Sequence, residues 1–173
     1  GPLDAARVAR GEELFMSLCS RCHGSYEKTR TRRDLDQYPN LVIPIDEVNT
    51  DPMLLSFESL FVSVFSGWVA ESPLGQSNWL EETPGYVAPP LDGIWATAPY
   101  LHNDSVPDLW TLLKSDERPA LWRRVNRRSD DLDELRVGWP YTTEEVGRAE
   151  GAPPEVYDTT RLGYLNTGHS YGD

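Results

Sequence analysis

The sequence predicts a mainly α-helical fold, a helical domain threaded with long irregular loops. Three observations carry that expectation. Residues 4 to 19 and 52 to 66 repeat apolar side chains at helical spacing. No stretch alternates convincingly in the pattern of a half-buried strand. Thirteen glycines and 14 prolines in 173 residues leave much of the chain for loops.

The first helix is expected over residues 4 to 19, with Gly11, Leu14, Phe15 and Leu18 on one face. Residues 24 to 50 are polar and irregular and contain the basic cluster Arg30, Arg32 and Arg33. That cluster is read as a solvated loop, or as a contact for an anionic group. The second helix, over 52 to 66, has Asp51 as cap, Pro52 in its first turn and Gly67 as its stop. Leu54, Phe57, Phe61, Val64, Phe65 and Trp68 form its apolar stripe, which reads as core. A Pro-, Gly- and Glu-rich loop follows over 71 to 90. A short helix is expected over 106 to 114 with Ser105 as cap, another helical turn near 119 to 126, and one more helix near 142 to 149.

The length favours one domain, residues 1 to 173. Gly1-Pro2 reads as the remnant of a cleaved tag, so the chain is expected to be excised from a longer one. Hydrophobic residues are only 39% of the chain, and the mean hydropathy is -0.52. No unbroken apolar run approaches the ~18 residues of a membrane span, so no span is expected. Twenty-eight acidic residues against 16 basic ones give a net charge of -12, which argues against nucleic-acid binding. Six Trp, eight Tyr and four Phe are too many aromatics for a disordered acidic tail.

The two cysteines stand together in Cys19-Ser20-Arg21-Cys22-His23. Cys-x-x-Cys alone fits a redox dithiol, half a zinc site or a small disulfide. A zinc site needs four ligands, and there is no second pair of cysteines. A thioredoxin-like motif belongs between a strand and a helix, whereas the preceding residues read as helix. The fifth residue favours a different chemistry. Cys-x-x-Cys-His is the attachment motif of c-type haem: two thiols three residues apart add to the two vinyl groups, and the tether holds the next histidine beneath the iron. One covalent haem c is therefore expected on Cys19 and Cys22, with His23 as an axial ligand. Attachment of such haems occurs outside the bacterial cytoplasm, so the expected location is periplasmic or extracellular.

A family resemblance lies further along. The segments Pro90-Leu91-Asp92-Gly93-Ile94-Trp95-Ala96-Thr97-Ala98-Pro99-Tyr100-Leu101-His102-Asn103 and Ser105-Val106-Pro107, with Arg118-Pro119 and Asn166-Thr167-Gly168-His169, resemble the C-terminal haem domain of the di-haem cytochrome c peroxidase superfamily. Within it they are most similar to the rubber-oxygenase branch. The resemblance implies a cytochrome-c-like helical domain in a chain that normally carries two haems. It implies chemistry at the N-terminal haem and electron relay at the C-terminal one. It also implies that Trp95, Pro99, Tyr100, His102 and Arg118 lie about the cofactor. Two departures stand out: there is one Cys-x-x-Cys-His, and the sequence stops at Asp173, before the final helix that family members pack on Gly11 and Phe15, so either that segment is unseen or something else covers that face.

The second axial position is open among His102, His169, Met16, Met53 and no protein ligand at all. Met16 is too close to the haem motif to reach the opposite face, and Met53 reads as core. No methionine follows Met53, although a Met follows the Pro-Tyr-x-His segment in typical di-haem peroxidases. The resemblance makes His102 a residue of the haem edge and His169 the ligand. The expected function is electron transfer at a bis-histidine haem, with a redox protein or a second haem domain as partner. The alternatives are part of a peroxidase or oxygenase whose catalytic haem domain lies elsewhere, and a haem-dependent sensing or structural domain.

Overall fold

A computed structural model describes residues 3–25, 38–73, 75, 81–128 and 130–171. Helix α1 (Ala5–Leu18) runs where expected. Asp4 caps it, its carboxylate accepting from the N–H groups of Ala6 (2.9 Å) and Arg7 (3.2 Å). The one-turn helix α2 (Ser20–His23) follows and ends at Gly24, whose φ of 78° is the left-handed geometry glycine tolerates. Strand β1 (Val42–Pro44) and the short α3 (Ile45–Val48) lead to α4 (Met53–Ala70). Gly67 does not stop α4, which continues to Ala70. Strand β2 (Gly85–Val87) pairs antiparallel with β1.

The mainly α expectation is overturned. Helix accounts for 36% of the structure and strand for 13%, in five helices and two small sheets among the described residues, an α/β mixture. The expected helix over 106 to 114 shrinks to α5 (Leu109–Leu113), and its cap is Asp108 rather than Ser105. Val106 pairs with Tyr100 in an isolated bridge, which holds the residues before α5 extended. Residues 119 to 126 contain β3 (Leu121–Arg124) instead of a helical turn, and 142 to 149 contain the end of β4 (Tyr141–Thr143) and one 3-10 turn, Arg148–Glu150. With β5 (Tyr157–Asp158) they form a sheet in the order β4-β3-β5. Strands of two to four residues are too short for period-2 alternation to register. What holds them is the buried Trp122, stacked on Tyr157 at 5.2 Å and edge-on to Tyr141 at 6.1 Å.

The core also lies elsewhere than expected. Ile43, Ala88, Tyr100, Val106, Trp122 and Val156 are its buried apolar residues, whereas neither α1 nor α4 buries a residue. The α4 stripe is exposed, from Leu54 (51%) to Trp68 (67%). The expectation that no segment could cross a membrane also needs correction. Met53–Ala70 is long and apolar enough by length and composition, with a mean hydropathy of 1.6. Four serines and Glu58 break its apolar run into short pieces. Its polar groups meet the chain before β2: Thr83 donates to Glu58 (3.1 Å) and Ser59 to Glu82 (2.9 Å). Arg30, Arg32 and Arg33 lie outside the described residues.

Candidate functional site

The turn from α1 into α2 gathers the motif. Cys22 and His23 both donate backbone N–H groups to the Cys19 carbonyl, at 3.1 and 3.0 Å. Both cysteines are free thiols of intermediate burial. Burial pushes the Cys19 thiol pKa up, and the neighbouring Cys22 adds to the shift. Among the described residues, no three of His, Cys, Asp and Glu gather as a set that could hold a metal ion.

His23 stands with its Nδ1 2.7 Å from the Pro89 carbonyl oxygen. A carbonyl oxygen only accepts, so Nδ1 carries the proton and Nε2 is left with its lone pair free for a metal. The His169 ring lies across from it, with ring centres 6.1 Å apart and planes at 65°. Burial lowers the His169 pKa first, and His23 and Arg118 lower it further, so the ring is held neutral. Its Nδ1 is buried with no hydrogen-bond partner among the described residues.

Residues 163 to 169 bring His169 to this place. Asp51 is fully buried; its Oδ2 accepts from the N–H groups of Gly163 (2.7 Å) and Leu165 (2.9 Å), and its Oδ1 from that of Met53 (2.8 Å). Asn103 Nδ2 donates to the carbonyls of the same two residues, Gly163 (3.4 Å) and Leu165 (2.9 Å). His169 N–H donates to the Val48 carbonyl at 3.1 Å. Gly168 and His169 both have positive φ, 79° and 53°. A Cβ on Gly168 would collide with the Val48 carbonyl oxygen, so the segment can lie against α3 only with glycine there.

The remaining expected cofactor residues have protein partners of their own. Tyr100 is buried, and its hydroxyl donates to the Val137 carbonyl at 3.1 Å. Burial, assisted by the negative charge of Asp108, pushes its pKa up to about 12. Pro99 follows a cis peptide bond after Ala98. Trp95 lies in a 3-10 turn (Ile94–Ala96) and is exposed. His102 stacks on Tyr86 at 4.5 Å, and Tyr86 donates to the Asp51 carbonyl at 2.8 Å. Arg118 reaches backbone carbonyls of the His169 segment.

Pro89, Asp51 as an anchor of the distal segment, and Asn103 are site residues that the sequence alone does not mark. Pro89 acts through a carbonyl, which no side-chain pattern reveals. Asp51 was visible only as a helix cap.

Residues 85–123 match the family described as RoxA-like, cytochrome c-like. That match supports a cytochrome c-like haem domain. A cytochrome c-like family implies haem c binding. The chain is also similar to two uncharacterized proteins of Sinorhizobium fredii strain NGR234. It is 28% identical to y4iM over 184 residues, covering 96% of this chain and 41% of that protein. It is 39% identical to y4iJ over 99 residues, covering 57% of this chain and 15% of that protein. The chain thus spans less than half the length of either relative.

Proposed function

We propose that this cytochrome c-like domain transfers electrons through one haem, bound covalently by Cys19 and Cys22, with His23 and His169 as the axial pair. The observation that carries the reading is the 6.1 Å between the two ring centres. Imidazole nitrogens bind transition metals at roughly 2 Å, and each nitrogen lies about 1 Å from its ring centre, so two rings sharing one ion have centres about 6 Å apart. The free thiols of Cys19, one turn before His23, and of Cys22, next to it, fit the same group. When bound, the haem supplies an iron that cycles by one electron. The chain's own residues set its surroundings. Pro89 fixes the His23 tautomer through Nδ1, which raises the ligand strength of Nε2. The low His169 pKa keeps the opposite ring unprotonated and able to bind. Two histidine ligands leave no open position for peroxide or dioxygen, which suits relay rather than catalysis.

The same reading makes the domain resemble the electron-relay half of di-haem peroxidases and oxygenases, in a periplasmic or extracellular protein. Its partner is then a redox protein or a second haem domain. The greater length of the two relatives is compatible with a further domain beside this one. An absorption spectrum of the haem-loaded protein tests the function. Low-spin bands unchanged by cyanide or peroxide are expected, and His169→Ala should give high-spin character and new cyanide or carbon monoxide binding. A high-spin wild-type protein that reacts with peroxide would favour a catalytic domain instead. If His102→Ala opens the iron and His169→Ala does not, His102 is the ligand.

A further inference from the structure

Among the described residues, Arg118 donates to five backbone carbonyls. Its Nε reaches Thr111 (3.1 Å) and its Nη2 reaches Leu112 (2.8 Å), near the C-terminal end of α5. The other three lie in the distal segment: Nη1 reaches Asn166 (2.7 Å) and Gly168 (2.6 Å), and Nη2 reaches His169 (3.1 Å). The rigid fork of a guanidinium is suited to this, because it presents five N–H groups in one plane.

The two sets of carbonyls differ in how firmly they are held. Thr111 is fully buried, and Asp108 caps its helix, accepting from the Thr111 N–H at 2.7 Å. Asp108 is in turn held by Arg136 Nε at 2.6 Å. The distal segment has no helix or strand of its own and ends in two successive left-handed residues. A left-handed non-glycine residue is strained, and it persists only where its surroundings over-determine it. For His169 those surroundings are the Val48 carbonyl, which takes its N–H, and Arg118, which takes its C=O. Three carbonyl oxygens that converge on one point also repel one another unless a cation lies between them.

We propose that Arg118 is a positioning residue for the distal ligand: it ties the carbonyls of Asn166, Gly168 and His169 to the end of α5 and so holds the His169 ring over the iron. The proposal rests on the His23–His169 ligation argued above. It assigns Arg118 a role in ligand retention, not in contact with the cofactor.

The test uses the haem-loaded full chain as wild type, Arg118→Ala, Arg118→Lys and His169→Ala. Each is followed by ferric spin state and cyanide-binding rate below its unfolding temperature. Arg118→Ala should keep its haem and bind cyanide about tenfold or more faster than wild type, because three charge-assisted bonds are lost from the segment. Millimolar methylguanidinium should slow it again by refilling the site. Arg118→Lys, with fewer and less directed donors, should fall between wild type and Arg118→Ala. A clip that only stabilised the fold would lower the melting temperature and leave the cyanide rate unchanged, and that result overturns the proposal. If Arg118→Ala does not fold, Arg118→Lys decides alone: a wild-type cyanide rate counts against the proposal. If His169→Ala itself fails to open the iron, the ligation reading falls. If His169→Ala opens it and Arg118→Ala does not, only the role of Arg118 falls.

Discussion

Gly168 is the residue on which the distal side turns. Its φ is 79°, and a Cβ there would meet the Val48 carbonyl oxygen. Gly168→Ala should therefore destabilise the protein by about 1–3 kcal/mol, measured by denaturant unfolding, and raise the high-spin fraction by displacing His169. A spectrum and a stability both equal to wild type would show that the segment does not need this turn. Tyr100 offers a residue-scale test in pH. Its phenol is ordinarily at 10.0 and is pushed up to about 12 in the folded protein. The folded state thus holds this proton more tightly than the unfolded chain, so the contribution is complete below pH 10 and is lost as pH rises toward 12. Stability should fall across that window, and Tyr100→Phe should flatten the decline in a urea titration at each pH. An unchanged slope in the variant would show that other groups govern the alkaline limit.

The elements divide between those a sequence reveals and those it hides. The helices α1 and α4 were legible because each runs three turns or more with side chains at helical spacing. The strands were not, since β3, β4 and β5 span two to four residues each and owe their pairing to aromatics distant in sequence. Trp122 is the centre of that pairing, 4% exposed, with its Nε1 donating to the Ser105 carbonyl at 3.0 Å. Trp122→Ala should cost about 3–5 kcal/mol by emptying the core of the small sheet, a loss visible as a lower denaturation midpoint. A cost under about 1 kcal/mol would mean that the sheet is not the structural centre. The candidate site was half legible in the same sense. Cys19, Cys22 and His23 form a contiguous motif. His169 stands alone in the sequence, and only a family resemblance pointed to it. What brings it to His23 is a set of hydrogen bonds to the segment's backbone, with Asp51 and the Val48 carbonyl accepting and Asn103 and Arg118 donating, for which sequence carries no periodic signal. Asp51→Ala would leave three backbone N–H groups without their acceptor. It should cost about 3 kcal/mol while loosening His169, read together as a lower unfolding midpoint and faster cyanide binding.

At the scale of the molecule, a net charge of -12 surrounds the site, before any haem propionates are added. Such a surface attracts basic redox proteins and repels acidic ones, and the effect falls off over ~8 Å at physiological salt. Stopped-flow reduction should be faster with a basic cytochrome than with an acidic one, and the difference should shrink as salt rises. A faster acidic partner at low salt would show that local arginines, such as Arg21 within the Cys19–His23 motif, outweigh the global charge. The spectral, cyanide-binding and electron-transfer expectations presuppose the haem itself. The most direct measurement is the intact mass of the protein produced with a periplasmic haem-attachment system, compared with Cys19→Ala/Cys22→Ala under the same conditions. Covalent attachment through Cys19 and Cys22 requires the mass of one haem added to the wild type after denaturation and none added to the double variant. A wild-type chain of unmodified mass, from cells that attach haem to a control cytochrome, would contradict it.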